Sequence, residues 1–365
     1  MFRTDFVRWT DLDEASIAEW ERLVESVQSP PDLSPRWAQA LVAAHRVRFD
    51  EVEVFRLSDE AGLHALVPLR LNAQNRLGLR VLTIEPLNSI FSLHLDLLTD
   101  LRKEVCIAAL LDAVDARYGH WSAFDFRGLV IDDPVADALQ GAAKARGCAF
   151  EIQSGDASPF LAICSSWNDF LSTKSANFRS NIKRKARRLL ESGQHEVRFV
   201  CEVGEVMRAL DDVHRIEDKS WKASAGTSIT SRPWERDFYV ELAKRFGRTA
   251  QLLVTLAVLD STPVAFDLTL LGGGRAYCLK TSFDAEYAEL SVGMVLRVEL
   301  MKRMFESGVK EYDFLGKSER YKLEWSETVR RSQSMRLFNS RSLAGFALTA
   351  RSRLRAAARP AGQTE

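Results

Sequence analysis

QLLVTLAVLDSTPVAFDLTLLGGGRAYCLKTSF, residues 251–283, decides the architecture. Three apolar, β-rich runs, Gln251 to Leu259, Val264 to Leu271 and Arg275 to Phe283, are separated by Asp260-Ser-Thr-Pro263 and Gly272-Gly-Gly274. Short runs bounded by turn residues predict an antiparallel meander. Downstream, a helical pattern runs from about Val292 to Ser307 and stops at Gly308, and a strand is expected at Val309 to Leu315. Upstream, Phe178, Ile182, Ala186, Leu189 and Leu190 mark one face of a helix that ends at Gly193. Another helix is expected around Val206, Leu210, Val213 and Ile216.

The same order stands in the first half. Helices are expected at 14–28 and from Trp37 to about His45, then strands at Glu51 to Leu57, Leu63 to Leu71 and Leu79 to Ile84. Pro68 argues against the middle strand or puts it at an edge. A helix from about Arg102 to Arg117 and a strand from Ser122 to Phe126 follow. The last strand of each half carries a related string, Phe124-Asp-Phe-Arg-Gly128 and Tyr312-Asp-Phe-Leu-Gly316, which suggests a duplicated fold with Asp125 and Asp313 at equivalent places. Gly155, Asp156, Ser158 and Pro159 put the boundary near 154–159. The expected organisation is therefore 1–158, 159–330 and a basic tail, 331–365.

The 365 residues carry 50 Lys+Arg and 50 Asp+Glu with 46% hydrophobic residues, which excludes disorder over most of the chain and a wholly basic nucleic-acid-coating surface. Five dispersed cysteines without a C-x-x-C pair fit neither a disulfide framework nor a zinc site, so reduced thiols, a cytoplasmic location and no metal are expected. The charged N-terminus lacks the apolar core of a signal peptide, and no apolar run approaches a membrane span. No G-x-S-x-G elbow or Cys/His pairing suggests a hydrolase.

Several residues carry possible chemistry. A helix opening within Leu290-Ser-Val-Gly-Met-Val-Leu296 would turn its first N–H groups and dipole toward a pyrophosphate, with Gly293 permitting close approach. Alternatively, Ser291 simply caps a core helix that buries Met294, Val298, Met301 and Phe305. The acid-free run of Lys174, Arg179, Lys183, Arg184, Lys185, Arg187 and Arg188 reads as a solvated face or as a grip on a phosphate-rich partner. The tail, with Arg331, Arg336, Arg341, Arg351, Arg353, Arg355 and Arg359, reads as a frayed terminus or a loose contact with anionic membrane near a synthase complex.

Phe178-Arg-Ser-Asn-Ile-Lys-Arg-Lys-Ala-Arg-Arg188, Leu290 to Leu296, Tyr312 to Gly316, Tyr321-Lys322 and Trp325, in this order, resemble the CelD-like GNAT family of cellulose and exopolysaccharide biosynthesis, itself similar to Fem-type peptidyltransferases. The resemblance implies tandem GNAT-like α/β domains with mixed sheets flanked by helices, the first supporting and the second active. It also implies transfer of an acyl group from acetyl-CoA or another acyl-CoA to an amine or hydroxyl of a small-molecule or saccharide acceptor. Ser291, Val292, Gly293 and Met294 would hold the donor, and Arg179, Lys183 and Arg184 an anionic substrate. Tyr321 would protonate the departing thiolate, Lys322 would stabilise anionic oxygen, and Asp313 would act as base. The alternative to the tyrosine's role is that Tyr321 packs on Trp325 while Lys322 is solvated. Two other readings stay open: a Fem-type ligase using aminoacyl-tRNA, and a non-catalytic scaffold in a polysaccharide-synthesis complex.

Overall fold

The structure, a computed structural model, describes residues 1–76, 78–91, 93–220, 229 and 232–357. Its contacts divide the chain into two compact units, Met1–Ala38 with Val47–Asp156 and Arg330–Glu365, and Gln39–Arg46 with Ala157–Val329.

The first unit holds strands β1 (Arg3–Arg8), β2 (Val52–Asp59), β3 (Gly62–Arg76), β4 (Leu79–Pro86), β5 (Leu98–Thr99) and β6 (Ala123–Val130), and the start of β7 (Ala149–Ala162). Its long helices are Glu14–Ser26, Lys103–Tyr118 and Pro134–Ala145. Asp13 caps the first by accepting from the Ser16 N–H at 2.8 Å. Phe55, Leu69, Ile107, Leu110, Phe124 and Phe126 lie in one core between sheet and helices. β3 is not an edge strand: it pairs with β2 on one side and with β4 and β5 on the other. Pro68 falls between Leu66, paired to β5, and Leu69, paired to β4, where the ladder is interrupted and a missing N–H costs nothing.

The second unit holds the end of β7, then β8 (His195–Val200), β9 (Leu252–Leu259), β10 (Thr262–Gly272), β11 (Arg275–Phe283) and β12 (Glu311–Asp313), in the order β7-β12-β11-β10-β9-β8. All eight residues of β9 are buried, which explains its continuous apolar run. Two-residue turns close the meander, with positive φ at Asp260, Ser261, Gly273 and Gly274 as hairpin turns of the primed type require. Helices Ala176–Ser192, Val203–Asp218, Pro233–Phe246 and Val292–Glu306 flank the sheet. Asp125 lies on β6, parallel to β4, and Asp313 on β12, parallel to β11. Each thus follows a three-stranded meander and a helix, and the fold is a tandem GNAT-like α/β architecture of mixed sheets.

Three expectations change. The glycine and proline near 154–159 do not interrupt the chain's regular structure, because β7 runs through them. At Gly155 a Cβ would stand 2.4 Å from Ser332 Oγ, so this glycine marks a close approach of backbones. The segment after Arg330 is no frayed terminus: β13 (Val329–Phe338) pairs antiparallel with β6, and a helix, Leu343–Ala357, follows. Arg336 belongs to that strand and grips Asp125 through two contacts of 2.5 Å. Arg359 and the rest of 358–365 lie outside the described residues. Finally, β12 is only three residues long, and its shortness opens the site described next.

Candidate active site

β11 and β12 run side by side only from Arg275/Glu311 to Tyr277/Asp313. Beyond that point two features separate them. On β11 the register to β10 slips, Leu268 facing Lys280 and Thr269 facing Cys278, so Leu279 is left outside both ladders as a β-bulge. On the other strand, Asp313 accepts from the Leu315 N–H at 2.9 Å and from Ser158 Oγ at 3.2 Å, and the chain turns away with φ of 48° at Leu315 and 62° at Gly316. A branched residue at positive φ is strained by about 1–3 kcal/mol and needs support. The gap is a cavity of about 620 Å³. Cys278–Phe283 line one wall, Phe314–Gly316, Tyr321 and Lys322 the other, with Ser291–Met294 and Arg297 between.

Lys322 supplies the support. It is 6% exposed, and its ammonium donates to the carbonyls of Leu315 at 2.7 Å and Lys317 at 3.0 Å and pairs with Glu319 at 2.6 Å. All three of its protons are engaged, so the lysine is a clamp on the turn rather than a solvated surface group. Tyr321 lines the cavity. Although 42% of its surface is exposed, desolvation, with Cys278 nearby, raises its phenol above the ordinary value, so it is protonated at neutral pH. Trp325 does not pair with it; it is buried among Trp167, Phe170 and Phe178.

The inner wall is a charged network that the sequence analysis did not single out. Arg297, 4% exposed, pairs with the fully buried Asp267 at 2.7 Å and donates to the Tyr312 hydroxyl. Asp267 also accepts from Thr269 Oγ1 at 2.5 Å and from Cys278 Sγ at 3.4 Å. Burial opposes the guanidinium's charge, but Asp267 overrides it and holds the arginine protonated. Burial pushes the Cys278 thiol up, which leaves it a poor nucleophile at neutral pH. One acid in the apolar run Pro263–Leu271 and one base among Val295, Leu296 and Val298 were the available signal.

The helix Val292–Glu306 opens at the cavity. Ser291 is left-handed, at φ 55°, and among the described residues no side chain caps the helix start. The Met294 and Val295 N–H groups donate to the Ser291 carbonyl, which leaves those of Val292 and Gly293 with no intrahelical acceptor and no side-chain one. Val292 is fully buried, while a Cβ on Gly293 would meet the Phe283 ring at an ordinary 3.4 Å.

Of the basic helix, Lys185 reaches the cavity wall; Arg179, Lys183 and Arg184 do not. Arg179 instead donates to the carbonyls of Leu171, Ser172 and Lys174, closing the end of the short helix Trp167–Thr173. Lys183 is exposed, and Arg184 donates to Asn181 Oδ1 at 2.7 Å. Among the described residues Lys185 has no acidic partner. Its spacing from Phe178, Ile182 and Leu189 places it on the inward face, a signal that counting charges hides. Asp313 is buried and lies outside the cavity lining, as a brace of the turn.

Lys280, one residue beyond the bulge, also lines the cavity. Its ammonium stands 2.8 Å from Glu235 and 3.5 Å from Glu217, both carboxylates buried. Among the described residues no cluster of His, Cys, Asp and Glu could hold a metal ion.

Residues 176–323 match the acetyltransferase (GNAT) domain. The matched stretch contains the bulge, the helix opening and Tyr321 and Lys322. The fold of FemX superposes with a TM-score of 0.62 at 12% identity, covering 87% of this chain and 95% of that one. A Bacteroides thetaiotaomicron protein of unknown function gives 0.60 at 11% identity, over 92% and all of the two chains. The C-terminal DUF2156 domain of a protein described as a lysylphosphatidylglycerol synthetase, from Agrobacterium fabrum, gives 0.54 at 12% identity, over 92% and 95%. These likenesses extend the GNAT-type fold beyond the matched domain across most of the chain. No curated protein matches the sequence.

Proposed function

We propose that the second unit transfers an acyl group from acyl-CoA to an amine or hydroxyl of a polysaccharide or cell-envelope precursor. The observation that carries this reading is the parting of β11 and β12 at a bulge, directly in front of an uncapped helix start. A thioester donor needs both: a polar cradle for its pyrophosphate and a gap where its carbonyl meets backbone outside the ladder. The helix start and Lys185 would hold the phosphates, and the backbone of Leu279 would polarise the carbonyl.

The acceptor's nitrogen or oxygen attacks that carbonyl, the C–S bond breaks, and the thiolate takes a proton. Tyr321, protonated at neutral pH, is the donor we assign to it. The acceptor's own proton leaves toward the Lys280–Glu235 pair. A second cleft of about 660 Å³ shares Glu324 and Trp325 with the first and is lined by Asn177, Asn181, Ser326 and Glu327. Amide, hydroxyl and carboxylate groups are the partners that saccharide hydroxyls seek.

The test is release of free coenzyme A thiol from acetyl-CoA with candidate acceptors, beside calorimetric binding of acetyl-CoA. Binding without turnover would leave the donor site and discard the acceptor class. The exposed Lys183, Arg184, Arg187 and Arg188 favour a second reading, in which an aminoacyl-tRNA is the donor. Ribonuclease sensitivity of the transfer, with no binding of acetyl-CoA, would select it. Absence of any donor binding would leave the scaffold reading.

A further inference from the structure

The C-terminal helix Leu343–Ala357 carries a face that the first unit does not cover. At 1.5 Å per residue it is about 22 Å long. Its inner side is seated on its own unit. Ala344 is 6% exposed, a Cβ on Gly345 would overlap the Asn339 carbonyl, and Ser352 Oγ donates to Glu151 at 2.7 Å. On the opposite side Leu343, Phe346 and Leu354 are 78%, 65% and 71% exposed. With about 100° of turn per residue, these three and Ala350 share one stripe about 80° wide. The same wheel puts exposed Arg351 along one border of the stripe and exposed Arg353 along the other.

Three large apolar side chains held in water along a helix need a cover. The charge says which. From Arg330 onward the sequence has eight arginines and a single acid, Glu365, in a chain whose charges cancel overall. A second copy of the same helix would bring arginines against arginines across a twofold contact. A surface of anionic phosphates over hydrocarbon satisfies both the stripe and its borders.

We propose that the helix Leu343–Ala357 lies in the plane of an anionic lipid surface, with Leu343, Phe346 and Leu354 among the acyl chains and Arg351 and Arg353 against lipid phosphates. This assignment is independent of the acyl-transfer reading.

The experiment is co-sedimentation of the full chain with vesicles of phosphatidylcholine alone, or mixed with an equal part of phosphatidylglycerol. The expected result is binding to the mixed vesicles only, weakening as salt is raised. Phe346→Asp with Leu354→Asp should lower the partition coefficient at least about tenfold, and Arg351→Gln and Arg353→Gln about fivefold each. All four side chains are exposed, and a melting curve on each variant confirms the fold. If the aspartates disturb the helix, the two glutamine variants still decide the matter. Equal binding to neutral vesicles, no binding to either, or unchanged binding by the variants overturns the proposal. So does light scattering that shows a dimer dissolved by Phe346→Asp, because a second copy would then be the cover.

Discussion

Arg297→Met tests whether the cavity's inner wall is held by charge. The substitution keeps the side chain's length and removes the only cation paired with Asp267 among the described residues. The carboxylate stays fully buried, with Thr269 at 2.5 Å and Cys278 and Tyr312 at 3.4 Å as remaining donors. One-sided removal of a buried pair costs about 3–5 kcal/mol, and these three donors place the loss near the lower end. The reverse variant, Asp267→Leu, leaves a guanidinium facing only a thiol and a phenol and should lose as much or more. Removing both charges leaves the Thr269 and Tyr312 hydroxyls, at about 1–2 kcal/mol each, and the weakly donating Cys278 thiol short of an acceptor. The double variant should therefore be more stable than the two single losses predict, by at least about 2 kcal/mol. For a unit of this size each kcal/mol moves the melting point by about 2–4 °C, so calorimetry should show each single variant melting roughly 6–15 °C early. Single losses under about 1 kcal/mol, or losses that simply add, would refute the claim that this pair supports the wall.

Lys185→Ala should weaken acetyl-CoA binding about five- to thirtyfold in low salt and less in high salt, while Lys183→Glu with Arg184→Glu should change it little; equal effects of the two would dissolve the distinction between inward and outward cations. Tyr321→Phe should lower turnover by about 10²-fold with donor affinity and melting temperature nearly unchanged, provided chemistry is rate-limiting. In the first unit, burial raises Asp32 from 3.8 to about 7, its only hydrogen bond among the described residues being from the Leu93 N–H at 3.3 Å. The folded state then holds a proton that the unfolded chain releases above pH 4, so stability should fall by up to about 4 kcal/mol between about pH 4 and 7 and level off above. Asp32→Asn should flatten that slope in urea titrations followed by tryptophan fluorescence, Trp20 and Trp37 lining the same small cavity.

What could be read from the sequence follows from how far apart the interacting residues are. The meander 251–283 and the helices 176–192 and 292–306 have strong local periodicity and turn residues at their ends, and they were legible. β7 and β13 were not, because each gains its partner from a strand distant in sequence: β13 pairs with β6, and β7 with β12. Gly155 and Pro159 looked like punctuation because the pattern does not say which neighbour a strand will meet. In the site, Gly293, Tyr321 and Lys322 could be picked out by their place after recognisable elements. Arg297, Asp267, Lys280, Glu217 and Glu235 could not, since each is one charge in an apolar or ordinary helical context and acquires meaning only through its partner. Lys322 shows the limit from the other side: its position was readable, but whether its ammonium faces solvent, substrate or three oxygens of its own loop is a tertiary fact.

The two units share an element order, and the cavity of about 620 Å³ is lined by residues of the second. In the first unit β3 and β4 pair without a slip from Leu69/Pro86 to Arg76/Leu79, so no residue of β4 is left outside the ladder. After β4 come a 3-10 turn, Leu87–Ile90, and β5 before the long helix Lys103–Tyr118, whereas in the second unit the 3-10 turn Ala285–Leu290 leads straight into the helix Val292–Glu306. Leu95 then bridges Leu129 beside β6, and Arg127 spans from Glu85 at 3.2 Å to Asp125 at 3.4 Å. Backbone and an ion pair thus lie just past the end of the β4–β6 pairing in the first unit. The string shared by Phe124–Gly128 and Tyr312–Gly316 is therefore a mark of the scaffold, and its aspartates serve folding in both halves: Asp125 receives Arg336, and Asp313 receives Ser158 and the Leu315 N–H. Chemistry depends on what the halves do not share. A single extra residue in β11 and a helix that follows without an intervening strand go with a cavity that has a polar mouth, a protonated phenol and a buried charge pair at its back.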